Sequence, residues 1–317
     1  MNSYAAYSKD NNLRLKSSSG AIFSEFANFF LKHGGIVYGV AMSDNCYYAE
    51  FIRVDSEEKL DKLRGSKYLQ ARMGDTYMSV QKDLENGKKV LFSGTSCQIN
   101  GLKKFLNEVQ KNLICIDVIC HGTPSQTLWK KYVEHYEEQH GKLKRVSFRS
   151  KDVGWSDYGM KLNNVYNSKN VDSYMQMFLR DYALRPSCYN CTAKKNKFSD
   201  ITIGDFWGID EVASEMNDEQ GVSVVIIRTE AGKRLLSEIK DRVVMEEVRY
   251  DEAVRYNCMD YSSVSKPKQR DSFFDDMNNM TFEALSVKYA SPEKISFVRK
   301  WFIIVKKLIR KCCINSN

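Results

Sequence analysis

The sequence is poor in proline, with 4 in 317 residues, and just as poor in histidine, with 4. So little proline argues against a proline-rich linker or stalk. No stretch of about 18 uncharged apolar residues occurs, so no segment reads as a membrane-spanning helix. The start, Met1-Asn-Ser-Tyr-Ala-Ala-Tyr7, has no basic region followed by an apolar core, the mark of a secretory signal. Internal repeats and low-complexity stretches are missing too. The formal net charge is +8, but the basic residues are dispersed and no recognition motif accompanies them, so no nucleic acid is expected as a partner. A cytoplasmic protein is expected.

Hydrophobic residues make up 43% of the chain and charged residues 28%, enough for a substantial core under a solvated surface. Nine cysteines are present. In a reducing compartment they point to metal or redox chemistry rather than to a disulfide framework.

The apolar patterning predicts strands over 4–9, 36–42, 47–54, 90–92, 112–119, 222–228 and 243–248, with another beginning at 199. Helices are predicted over 21–31, 56–63, 75–85, 98–106, 128–139, 172–184 and 229–241, and a last one over 295–311. Segments 141–150 and 158–165 read as two antiparallel strands. The alternation predicts an α/β protein: a mixed sheet flanked by helices, with an additional antiparallel hairpin and a C-terminal helix. Three parts are expected. Residues 1–85 form an N-terminal α/β part, 86–290 a cofactor-bearing domain, and 291–317 a basic amphipathic helix.

Cys97 follows the strand Val90-Leu-Phe and the turn Gly94-Thr95-Ser96, and opens a helix. There it meets free backbone N–H groups and the positive end of the helix dipole, which favour an anion. Cys120 closes the next strand, at Ile119-Cys120-His121-Gly122. Two strands each delivering a cysteine at the carboxyl end should set them side by side on the ligand-binding edge of an open sheet. Cys188-Tyr-Asn-Cys191 supplies two more thiols from one turn. Four thiols suit an iron–sulfur cluster, a tetrahedral zinc (with His121 as an alternative ligand) or, for Cys188 and Cys191, a redox pair. Spacing leaves these open, along with no metal at all. Cys115, inside its strand, reads as core.

Two further stretches suit phosphate. Ser17-Ser18-Ser19-Gly20 precedes a helix, and Gly65-Ser66-Lys67 combines hydroxyl, ammonium and backbone donors. On its own the first is better explained by an ordinary N-cap turn, and a solvated turn explains the second equally well.

The chain resembles the coenzyme F420 hydrogenase/dehydrogenase beta subunit family over nearly its whole length. The motifs are Ser17-Ser-Ser-Gly20, His33-Gly-Gly-Ile-Val-Tyr-Gly39, Arg64-Gly-Ser-Lys-Tyr68, Leu91-Phe-Ser-Gly-Thr-Ser-Cys-Gln98, Asp117-Val-Ile-Cys-His-Gly122, Phe148-Arg-Ser-Lys151 with Gly154-Trp155, Cys188-Tyr-Asn-Cys191, Asp200-Ile-Thr-Ile-Gly-Asp-Phe-Trp-Gly208 and Arg270-Asp-Ser-Phe-Phe274. The resemblance implies an iron–sulfur flavoprotein oxidoreductase. A 4Fe–4S cluster would sit on Cys97, Cys120, Cys188 and Cys191. FAD would lie close by, lined by Ser18, Ser19, Gly20, Ser66, Lys67, Gly94, Thr95 and Ser96, with Asp205 near it and Trp207 as a stacking wall. Electrons would pass between a hydride carrier, coenzyme F420 in archaeal members, and a ferredoxin-like or other one-electron carrier protein. A small-molecule substrate is implied, and many bacterial relatives are associated with polysaccharide synthesis. The rival class is a non-catalytic zinc-stabilised accessory or scaffold protein.

Departures from the family pattern bear on these expectations. No cysteine precedes Cys46, so the ferredoxin-like segment of many bacterial relatives is not seen. Ser19-Gly20-Ala21 stands for Ser-Gly-Gly, and Ser96-Cys97-Gln98 for Pro-Cys-Gln. Whether a separate ferredoxin docks near the basic loop with Lys194, Lys195 and Lys197 is left open by the sequence. Residues 295–311 pair an apolar face with lysines and arginines. That suits peripheral contact with the inner membrane face, or a helix closing over a core or a homo-oligomer partner.

Overall fold

The computed structural model describes residues 2–290; the expected helix over 295–311 lies outside the described residues. Its strands are β1 (Ser3–Ser8), β2 (Ile36–Met42), β3 (Ala49–Val54), β4 (Ala71–Arg72), β5 (Val90–Thr95), β6 (Leu113–Val118), β7 (Val146–Ser150), β8 (Gly159–Leu162), β9 (Val165–Ser168), β10 (Ile201–Asp205), β11 (Ser223–Ile227) and β12 (Val243–Val248). Nine of them form one mixed sheet in the order β12-β1-β11-β10-β6-β5-β2-β3-β4. The centre, β2-β5-β6-β10, is parallel. Antiparallel pairs flank it: β11 beside β10, β1 between β11 and β12, and β3 beside β2. This is the expected α/β architecture.

The central strands are apolar along their length because both faces are covered. On one face the helices Ile22–Lys32 and Glu230–Glu238 pack Phe26, Leu31 and Leu235 over Leu91, Ile116 and Ile201. On the other, Thr76–Glu85 and Ser96–Leu106 pack Val80, Ile99 and Leu102 over Val90 and Phe92. The edge strand β12 exposes Glu246 and Glu247, charges that discourage pairing with another chain.

A second layer holds the antiparallel sheet β7-β8-β9 and the helices Gln126–His140 and Ser173–Leu179. Its core is aromatic: Trp129, Tyr132, Phe148, Tyr174 and Phe178 are buried together. The Trp129 indole donates to the Cys46 carbonyl at 2.8 Å.

Several boundaries differ from expectation. The hairpin has a third strand, β9. The helix expected over 172–184 stops at Leu179, because Asp181 takes a left-handed conformation, φ +65°. The segment Glu57–Leu63 is a 3-10 helix. Gly94 and Thr95 belong to β5 rather than to a turn, so the Ser96–Leu106 helix follows its strand directly.

Candidate functional site

β5 and β6 run parallel in register, with Thr95 opposite Val118, and β10 continues the register with Ile203 opposite Val118. Their carboxyl ends therefore deliver Cys97, Cys120 and Asp205 to the same edge of the sheet. Cys97 lies in the first turn of Ser96–Leu106, exposed, with its Sγ 3.1 Å from the Thr95 hydroxyl. The Gln98 amide oxygen accepts from the Thr95 N–H at 2.8 Å, fixing the helix start.

The Cys188 and Cys191 turn is pinned to this edge by its own contacts. The Thr123 N–H, just past Cys120, donates to Cys188 Sγ at 3.4 Å. The Cys191 N–H donates to the Ser263 hydroxyl at 2.9 Å. From the other side Asn100, on the Cys97 helix, donates to the Asn196 carbonyl at 2.6 Å and accepts from the Phe198 N–H. Cys120 lies within electrostatic reach of the other three thiols, and Cys188 within reach of Cys97 and Cys191. Cys120 keeps some exposed surface, but its sulfur is closely surrounded. Burial pushes its thiol up to about 12, the thiolates of Cys97, Cys188 and Cys191 add to the rise, and Lys194 opposes it. Cys188 is raised too, by burial and then by the Cys97 and Cys191 charges, with a Thr123 backbone hydrogen bond opposing. Four soft sulfur donors whose charges penalise one another fit a compact cationic group. Among the described residues no three Cys, His, Asp or Glu side chains stand at the spacing of a single metal ion. His121 does not face this set; its Nε2 pairs with Asp181 at 2.6 Å.

Beneath the Cys97 helix lies a buried charge network that sequence reading missed. Asp117, with 0% of its side chain exposed, accepts from the Ser96 and Thr202 hydroxyls and from Lys197 Nζ at 2.9 Å. Lys197 Nζ also meets Asp260 at 2.8 Å, and Asp260 holds Arg228 Nη2 at 2.7 Å. Burial pushes the Asp260 carboxyl up, but Lys197 and Arg228 outweigh it and hold it below the ordinary carboxylate value. An aspartate inside the otherwise apolar strand β6 was the available signal. The network also engages the basic loop: Lys194 is buried with Nζ on the Ser262 carbonyl, and Lys197 is spent on two carboxylates. Of the three lysines only Lys195 is exposed.

The structure gives most of the expected phosphate groups other work. Lys67 Nζ is held by the carbonyls of Lys62, Leu63 and Arg64 at 2.8–3.2 Å. It caps the end of the Glu57–Leu63 turn. The Ser19 hydroxyl donates to the Val222 carbonyl, and the Gly20 N–H to the Ser223 hydroxyl. A Cβ on Gly20 would stand 2.4 Å from the Ala6 carbonyl oxygen, so this glycine serves the approach of β1 and β11. A Cβ on Gly94 would meet the Gln98 side chain and the rings of Phe51 and Phe92. Ser96 is turned into the charge network.

Ser18 and Ser66 do meet, hydroxyl to hydroxyl at 3.0 Å, with the Ser66 N–H also donating to Ser18 at 2.8 Å. Ser18 lies on a cleft of about 480 Å³, together with Ser17, Gly65, Ser147, Arg149 and Lys151. Lys151 Nζ is held by the carbonyls of Arg14, Ser19 and Gln220. Asp205 is fully engaged, accepting from Arg149 Nη1 at 2.8 Å and from the Trp155 indole at 3.0 Å. Trp207 stacks on Trp155, centroids 5.2 Å apart and rings 8° from parallel, with Tyr158 at 6.4 Å. The Arg149 guanidinium lies over the Tyr158 ring at 3.9 Å. An aromatic wall is therefore present, but Trp155 already stacks against Trp207. Arg149 itself was quoted in a motif without a role; its burial could not be read from an alternating strand.

Two family descriptions match the chain. Coenzyme F420 hydrogenase/dehydrogenase, beta subunit N-term, matches residues 3–76, and its C-terminal counterpart for the same beta subunit matches 87–253. Among solved structures, a chain of the F420-reducing NiFe hydrogenase complex from Methanosarcina barkeri is similar, with 17% identity and a TM-score of 0.59. The match covers 82% of this chain and 87% of that one, and at this identity it speaks for the fold alone. No match is found among curated proteins.

Proposed function

The chain belongs to the coenzyme F420 hydrogenase/dehydrogenase beta-subunit family, a family of electron-transferring oxidoreductase subunits, and from that premise we propose that it holds one 4Fe–4S cluster and FAD. The observation that carries this reading is the mutual reach of Cys97, Cys120, Cys188 and Cys191 at the carboxyl edge of the sheet. A single zinc ion with bonds of about 2.3 Å would draw its sulfurs to within about 3.8 Å of one another. A cuboidal cluster gives each thiolate its own iron and spreads the ligands more widely. Family membership, rather than the positions of the sulfurs, favours the cluster over the zinc-stabilised scaffold.

When bound, a flavin beside such a cluster turns the electron pair of a hydride into single electrons. The chain's own residues supply the setting. The Ser96–Leu106 helix presents its N-terminal dipole to the Cys97 ligand. The Asp117–Lys197–Asp260–Arg228 network fixes that helix against β6 and β10. Trp155, Tyr158 and Trp207 stack beside Arg149, a residue of the cleft, and Ser18, bonded to Ser66, adds a hydroxyl there. A cleft of about 480 Å³ is within the usual size of small-molecule sites. In this reading the two-electron partner is a hydride carrier of the coenzyme F420 class and the one-electron partner a ferredoxin-like protein. The polysaccharide-synthesis setting would supply a different small-molecule substrate to the same site.

Anaerobic purification with iron, sulfide and flavin analysis tests the proposal. The expected result is about four irons per chain, a flavin spectrum and a broad shoulder bleached by dithionite. A colourless protein holding one zinc would overturn it.

A further inference from the structure

We propose that Arg149 is an oxyanion receptor, binding a phosphoryl group of a small molecule in the cleft through its Nε–Nη2 edge. Arg149 ends β7 beside Ser150, and both line the cleft. Only 2% of its side chain is exposed. Yet Nε and Nη2, the pair that forms the side-on fork of a guanidinium, have no hydrogen-bond partner. Nη1 alone is used, on Asp205. The Tyr68 hydroxyl stands at the guanidinium as a neighbour close enough to bond and to raise its pKa, but its geometry falls short of a completed hydrogen bond to Nε or Nη2, so a ligand on this edge takes the place of Tyr68. Buried donors are nearly always paired, and two adjacent unpaired ones on a charged fork match the geometry by which arginine grips phosphate.

The surroundings fit the same ligand. Ser17, Ser18, Ser147 and Ser150 bring hydroxyls to the cleft, and Gly65 leaves backbone accessible. Lys151 does not compete for the ligand: its donors are occupied by carbonyls, and burial pushes its pKa down to about 7. The acids close by are already paired: Asp205 with Arg149, Asp152 with Lys161 at 2.6 Å, and Asp218 with Arg14. None of these three carboxylates is therefore left to compete for the free edge. The faces of the guanidinium rest against Tyr158 and Trp207, which hold the fork in one plane. The inference does not depend on the flavin reading, because the diphosphate of a dinucleotide and a phosphorylated substrate present the same group.

The test uses the full chain, purified anaerobically, as wild type, Arg149→Lys and Arg149→Met. Lysine keeps a charge opposite Asp205 but lacks the fork, so it guards against a variant that merely unfolds. Two quantities are read: flavin retained per chain, and the affinity for pyrophosphate by calorimetry, before and after flavin is stripped. Loss of the fork should weaken one of them by about tenfold or more, with circular dichroism and iron content unchanged in Arg149→Lys. Lost flavin, with pyrophosphate bound only by stripped wild type, identifies the dinucleotide as the source. Retained flavin with weakened pyrophosphate binding identifies a separate phosphorylated ligand. If both quantities stay within about twofold of wild type in both variants, the receptor does not exist.

Discussion

Arg149 and Asp205 stand on different sheets and meet at 2.8 Å, joining the end of β7 to the carboxyl end of β10. The pair is buried on the arginine side, and Asp205 is the carboxylate that offsets the guanidinium. Removing the acid leaves a buried charge unpaired. Asp205→Ala should lower stability by about 3–5 kcal/mol, and Asp205→Asn by less, because an amide oxygen still accepts. Urea denaturation of both variants checks this; equal stability of wild type and Asp205→Ala would show that the layers are held together by packing alone.

Lys197 neutralises two carboxylates, Asp117 and Asp260, which are 0% and 1% exposed. Lys197→Met should therefore cost about 3–5 kcal/mol, whereas Lys195→Ala, at an exposed position two residues away, should stay within about 0.5 kcal/mol. Denaturant midpoints separate the two. A mild Lys197 variant would mean that Arg228 alone sustains Asp260 and that the Ser96 and Thr202 hydroxyls sustain Asp117.

Much of this architecture was legible in the sequence, for definite reasons. Apolar runs such as Val90–Phe92 and Leu113–Ile116 suit buried strands, and each is followed by the cysteine that its topology brings to the sheet edge. What could not be read were directions and partners. Lys67 looks like a phosphate ligand in Gly-Ser-Lys, and only the fold shows its ammonium folded back on its own turn. Arg149 lies in an ordinary alternating strand, and the residue that pairs with it is 56 positions away. Ser17-Ser-Ser-Gly20 splits in the same way: Ser18 reaches the cleft while Ser19 and Gly20 serve β11. Long-range pairing decides each case, and local spacing carries no record of it.

The proposed ligand set separates the cysteines into two groups. Cys97→Ser, Cys120→Ser, Cys188→Ser or Cys191→Ser should each lose most of the bound iron. Cys46→Ser and Cys115→Ser should keep it, since both sit in core clusters. Colorimetric iron per chain is the measurement. Full iron in the Cys120 variant would refute the assignment, because Cys120 is the sulfur that feels the other three.

Alkaline stability should follow the buried thiols outside that set. Burial pushes Cys115 up to about 12 from an ordinary 9, and Cys46 up to about 11. Below pH 9 folded and unfolded chains both keep these protons. Between pH 9 and about 12 the unfolded chain gives them up first, so stability falls as pH rises through that window. Melting temperatures across it should fall more steeply for wild type than for Cys115→Ala. Parallel profiles would mean that tyrosine ionisation alone drives the loss.

The position of β1 between β11 and β12 ties the two ends of the described chain together. The neighbours of Ser3–Ser8 on both sides are Ser223–Ile227 and Val243–Val248, made more than two hundred residues later. Until they emerge, this strand has no native mate on either flank, so the sheet closes only after a long-range pairing that slows its completion.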